Sequence, residues 1–151
     1  MRKLLAACAC AGMLVAPAAA PAQEREGWTY AYVDGVATAT QRDDRGRVTA
    51  TLTCRPPEGD IIIHDYTLAG AGRRANTSSV RIGAMTVNVP SSVEGRGRNR
   101  ALVINLPQRP PILAAVQPTD RLSFTVNNET HTYLERFPAR MREVAYACWG
   151  S

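Results

Sequence analysis

The sequence predicts a mainly β fold: an antiparallel β-sandwich-like domain with a short internal helix and a C-terminal helix. Three observations carry that expectation. Turn signals such as Asp34-Gly35 and Asn127-Asn128 recur along the chain and favour tight hairpins. Between them run short stretches in which apolar and polar residues alternate, the period of a half-buried strand. Near the end the period changes. Phe137, Met141, Val144 and Cys148 recur at spacings of four, three and four, which is one face of a helix. A length of 151 residues suits one domain.

The first 22 residues stand apart. Arg2 and Lys3 precede an apolar, small-residue run from Leu4 to Ala16, and Ala20, Pro21 and Ala22 fit a small-x-small cleavage pattern. The expectation is a secretory signal over residues 1–22, cut after Ala22, and one β-rich domain over residues 23–151. Leu5-Ala6-Ala7-Cys8 also resembles a lipoprotein box, but cleavage there leaves a signal of seven residues, too short for an export core. No later segment approaches the length of a membrane span. The predicted address is the periplasm or the exterior. Loss of Arg2 and Lys3 reduces the 18 basic residues to 16 against 13 acidic ones, a net charge of +3. Lys3 is the sole lysine, so every basic side chain of the expected domain is arginine.

Trp28 to Val33 reads as the first strand, with Trp28, Tyr30 and Tyr32 on one face. Asp34-Gly35 turns the chain and Val36 to Gln41 returns. Asp43 to Gly46 makes the next turn. Val48 to Cys54 then alternates cleanly, with Val48, Ala50, Leu52 and Cys54 on one face and Thr49, Thr51 and Thr53 on the other. Pro56 to Asp60 breaks the run. Ile61 to Leu68, with three successive isoleucines, predicts a central strand covered on both faces. Ala69 to Asn76 reads as a loop. Ser79 to Ile82 and Met85 to Val89 read as short strands about Gly83. Ser91 to Arg100 is polar and glycine-containing, the pattern of a mobile loop. Ala101 to Leu106 is a strand with Leu102, Ile104 and Leu106 in phase. Ile112, Leu113 and Val116, set between prolines, predict the short internal helix. Arg121 to Val126 and Thr130 to Leu134 form a hairpin about Asn127-Asn128. Pro138 suits the first turn of the last helix, and Gly150 its stop.

Two cysteines remain once the signal is removed, Cys54 and Cys148. One lies on the inward face of a strand, the other on the apolar stripe of a helix. In an oxidising compartment they predict one disulfide. It would close a loop of about 93 residues and stabilise the fold on the order of 4 to 5 kcal/mol in chain-entropy terms.

Other chemistry-bearing side chains are sparse. His64 and Asp65 adjoin on a strand and so face opposite ways. His131 follows near a hairpin. Short metal-ligand spacings are absent, and no serine sits in a G-x-S-x-G elbow. Gly70-x-Gly72 lacks the helix a phosphate-binding turn requires. The expectation is a domain without catalysis, metal or cofactor. Two other classes compete with it: a hydrolytic enzyme using His64 or His131 with carboxylates, and an inhibitor that presents a rigid loop to an exported hydrolase.

Arg96, Arg98 and Arg100 alternate with Gly97 and Asn99. If extended, the three arginines project on one side. Arg73 and Arg74 adjoin in another loop. Arginine forks suit carboxylate and phosphate. The run lacks the interleaved aromatics of a single-strand nucleic-acid binder, and export removes it from cytoplasmic nucleic acid. The expected partner is an anionic envelope polymer or an envelope protein, and not nucleic acid.

The alanine-rich leader, Trp28 opening the domain, the strand ending at Cys54, and the stretch from Pro110 to Gly150 resemble the invasion-associated locus B family of exported alphaproteobacterial proteins. Within that stretch, Ile112-Leu113-Ala114-Ala115-Val116 precedes Asp120 to Asn127, then Thr130 to Leu134, then the Cys148-bearing helix. The resemblance implies a β-sandwich-like periplasmic domain with a structural disulfide, associated with the envelope. It brings no catalytic residues to transfer.

Overall fold

The computed structural model describes residues 27–56, 59–71, 76–107, 117, 119–133 and 137–150, with backbone alone at 137 and 138. The expected signal over residues 1–22, the Ile112 to Val116 helix, and Arg73 with Arg74 lie outside the described residues. Among the described residues, nine strands run along the chain: β1 Gly27–Val33, β2 Val36–Arg42, β3 Val48–Cys54, β4 Ile61–Asp65, β5 Thr77–Ile82, β6 Met85–Glu94, β7 Ala101–Leu106, β8 Leu122–Val126 and β9 Glu129–Tyr133. Helix α1 follows, Phe137–Trp149. The strands form one sheet in the order β1-β2-β3-β4-β7-β6-β5-β8-β9, and every pairing is antiparallel. The mainly β, antiparallel class is the one the alternation predicts.

Two hairpins close as their sequences dictate. Asp34 and Gly35 take φ of 51° and 74°, and Asn127 and Asn128 take 47° and 68°. Two successive positive φ values match the right-handed twist of the flanking strands, and Asp, Asn and Gly tolerate them best.

β6 reaches further than the sequence suggests. Met85 to Pro90 pair with β5, and Ser91 to Glu94 pair with β7. The expected mobile loop over Ser91 to Arg100 is therefore corrected: its first four residues are strand. Val87, Val89 and Val93 keep one phase and pack on the core. Ser91, in the same phase, accepts a hydrogen bond from the buried Ser78 hydroxyl at 2.8 Å. A hydroxyl pair thus stands in for the apolar contact that period-two reading seeks.

A second correction concerns β4. It is central, but it ends at Asp65, and Ile62 is 37% exposed while Ile61 and Ile63 are buried. One face of β4 is covered, as in an antiparallel sheet with a solvated side. The strand buried in an unbroken run is β7, where Ala101, Leu102, Val103 and Ile104 are all buried. β4 stops because the Asp65 carboxylate accepts the N–H groups of Thr67 and Leu68 at 2.7 and 2.9 Å, turning the backbone.

The sheet curls around its core. Leu52, Ile63, Leu102 and Ile104 join Val80, Leu122 and Phe124 in one apolar cluster. Tyr133 of β9 meets Trp28 of β1 edge-on at 5.5 Å and Phe124 at 5.8 Å, which brings the two ends of the sheet together. Helix α1 packs against β1, β2, β3 and β4 and buries Met141, Val144 and Cys148, as its spacing predicts. Its end is set by Gly150, whose φ is 70° and whose N–H donates to the Tyr146 carbonyl at 2.9 Å. Among the described residues, no helix is long and apolar enough to cross a membrane.

Candidate functional site

Gly95 to Arg100 join β6 to β7. Gly95 and Gly97 take φ of 76° and 57°, and a Cβ at Gly95 would stand 2.2 Å from the Asn99 carbonyl oxygen. Only glycine fits there. The N–H groups of Asn99 and Arg100 donate to the carbonyls of Arg96 and Gly97, so Gly97–Asn99 is a 3₁₀ turn. The expectation that Arg96, Arg98 and Arg100 project on one side assumes an extended chain. The chain is extended at Arg96 and Arg100 but turns over Gly97–Asn99, so that premise does not hold across the run. Arg96 and Arg98 are exposed and Arg100 is half-buried. The adjacent carboxylate, Glu94, accepts a hydrogen bond from Ser92 at 3.0 Å. Among the described residues, no carboxylate pairs with these three guanidinium groups.

The structure separates the two histidines. His64 lies on the solvated face of β4, in register with Thr51 and Val103. His131 meets β4 from the core side, with Nδ1 2.5 Å from Thr67 Oγ1 and 3.5 Å from Asp65 Oδ2. Asp65 is wholly buried but fully satisfied. Its Oδ1 accepts the Thr67 and Leu68 N–H groups and the Thr67 hydroxyl, the last at 2.6 Å. Its Oδ2 accepts the Tyr133 hydroxyl at 2.7 Å. Burial by itself raises the Asp65 pKa. Hydrogen bonds from His131, Thr67, Tyr133 and the Leu68 N–H outweigh burial and hold the carboxyl below its ordinary value. Burial, then the Asp65 charge, pushes the Tyr133 phenol far above its ordinary value.

The proton inventory follows from these contacts. The one hydroxyl hydrogen of Thr67 goes to Asp65, so His131 Nδ1 must carry the hydrogen shared with Thr67. One ring nitrogen faces both hydroxyl and carboxylate, and no hydrogen bond reaches Nε2 among the described residues. That arrangement fixes the imidazole. It does not line up a nucleophile with a base and the base with a carboxylate. Among the described residues, no group of three His, Cys, Asp or Glu side chains stands close enough to hold a metal ion. Sequence reasoning missed the Asp65, Thr67 and Tyr133 association. Asp65-x-Thr67 behind a strand is a legible turn signal, whereas Tyr133 enters only through the tertiary fold.

Cys54 and Cys148 stand at disulfide distance, with Cα atoms 5.9 Å apart. Trp149 donates its indole N–H to the Gly59 carbonyl at 2.8 Å, and the same oxygen lies 3.2 Å from Cys148 Sγ. The indole therefore sits beside the sulfur pair. No family model, curated protein or solved structure matches the chain.

Proposed function

We propose that the protein is a non-catalytic binding module of the periplasm that contacts an anionic envelope polymer through Arg96, Arg98 and Arg100. The observation that carries this reading is a turn bearing three arginines with no carboxylate pairing them among the described residues. Guanidinium groups without a carboxylate partner among the described residues are ready to form charge-assisted hydrogen bonds with carboxylate or phosphate. Three arginines in one short connection suit spaced charges along a polymer better than one small bidentate ligand. The cysteine pair at disulfide distance supports an oxidising compartment, and the resemblance to the invasion-associated locus B family points to the envelope.

The test is retention on heparin and on anionic vesicles at low salt. The protein binds both and elutes as salt rises. Replacing Arg96, Arg98 and Arg100 together by Gln weakens retention without changing the thermal midpoint. Unchanged retention of the triple variant overturns the reading.

A further inference from the structure

A second basic site lies at the opposite end of β6, roughly 30 Å along that ten-residue strand from the Arg96 turn. The register of three strands builds it. Arg81 of β5 pairs with Ser123 of β8, and Ser123 pairs with Thr132 of β9. Their neighbours Val80, Ile82, Leu122, Phe124 and Tyr133 are buried. Alternation therefore sets Arg81, Ser123 and Thr132 side by side on the outer face. They line a depression of about 300 Å³ that Gly83, Asp120 and Arg121 help to close.

Each group in the depression is partly positioned and partly free. Arg81 Nε donates to the Gly83 carbonyl at 3.0 Å, which steadies the guanidinium and leaves its terminal nitrogens for a ligand. The Asp120 carboxylate accepts the Gln117 N–H at 2.7 Å. It stands 2.5 Å from where a Gly83 Cβ would be, so the absence of a side chain at 83 makes its place. The Ser123 and Thr132 hydroxyls bond to each other at 2.9 Å. One hydroxyl hydrogen fills that bond and the other remains to be given away. Among the described residues, Arg81 and Arg121 form no ion pair.

We infer that this depression binds an acidic sugar, one hexose-sized ring bearing a carboxylate. Two guanidinium groups against one carboxylate leave a single positive charge, which matches a monoanion. The Arg81 fork takes the ligand carboxylate. The ring hydroxyls meet the Ser123 and Thr132 hydroxyls and the Asp120 carboxylate, which accepts from them. The volume stands at the low end for small-molecule clefts, room for one ring. The inference does not depend on the Arg96 to Arg100 reading.

Amide chemical shifts followed during titration with glucuronate test it. Saturable shifts at Arg81, Ser123 and Thr132 are expected, with a Kd on the order of 1 mM. Arg81→Gln, at an exposed side chain, weakens binding roughly tenfold, and the Arg96, Arg98, Arg100 triple Gln variant leaves it unchanged. Ser123→Ala gives a second, smaller loss in the same direction. Stronger binding of a diglucuronate than of the monomer would assign the site to a polymer end; equal binding would assign it to the free sugar. Acetate matching glucuronate would show a carboxylate site with no sugar recognition and overturn the inference. Glucose matching glucuronate, or no saturable shift at these amides, would overturn it as well.

Discussion

Asp65 is a buried carboxylate whose every neighbour donates to it, and that decides how single substitutions act. Removing the Tyr133 hydroxyl takes a donor from Asp65 Oδ2, whereas the Thr49 carbonyl, 3.1 Å from that hydroxyl, keeps the Tyr66 N–H at 3.0 Å. Tyr133→Phe is therefore expected to cost about 1 to 2 kcal/mol in urea unfolding. The same network sets an acid limit. The folded pKa of Asp65 is depressed, so its stabilisation is complete above the ordinary carboxylate value near 3.9 and is lost as pH falls through the lower folded value. Tyr133→Phe flattens that acid limb, because one of the bonds that favour the charged form is gone. At this scale Asp65 with Thr67 is legible from sequence as a turn. Tyr133 lies 68 residues from Asp65, and no local pattern links them.

Elements were legible where one face is apolar and the other polar. The Val48 to Cys54 strand and the Cys148-bearing helix satisfy that condition: the strand buries Ala50, Leu52 and Cys54 and half-buries Val48, and the helix buries Met141, Val144 and Cys148. β4 departs because three isoleucines suggest two covered faces, whereas antiparallel neighbours leave the Ile62 side open. β6 departs because serine hides an inward position. The Arg96 to Arg100 connection was legible in composition but not in shape, since Gly95 and Gly97 bend it in ways that residue spacing does not encode. Gly95→Ala tests that shape. It sets a Cβ against the Asn99 carbonyl at positive φ and is expected to destabilise by about 1 to 3 kcal/mol. It also changes how the arginines are presented, read as a change in the salt needed for elution from heparin.

The order of the whole sheet could not be read along the chain. β4 pairs with β7 and β5 with β8, choices made by the common core and not by any hairpin. The cysteine pair spans much of this arrangement, its ends separated by 94 positions in sequence. Cys148→Ser is expected to lower unfolding free energy on the order of 4 kcal/mol, measured by urea unfolding against the same variant of Cys54. Equal losses in the two single variants and in the double variant would mark one shared bond.

The ten residues of β6 carry a consequence for how the molecule comes apart. One continuous backbone serves β5 with its first six residues and β7 with its last four. No residue of the strand serves both partners, so the two flanks meet at one peptide link, between Pro90 and Ser91. Amide exchange is expected to report the two flanks as separate openings joined at that link, each half of β6 protected together with the strand it pairs with.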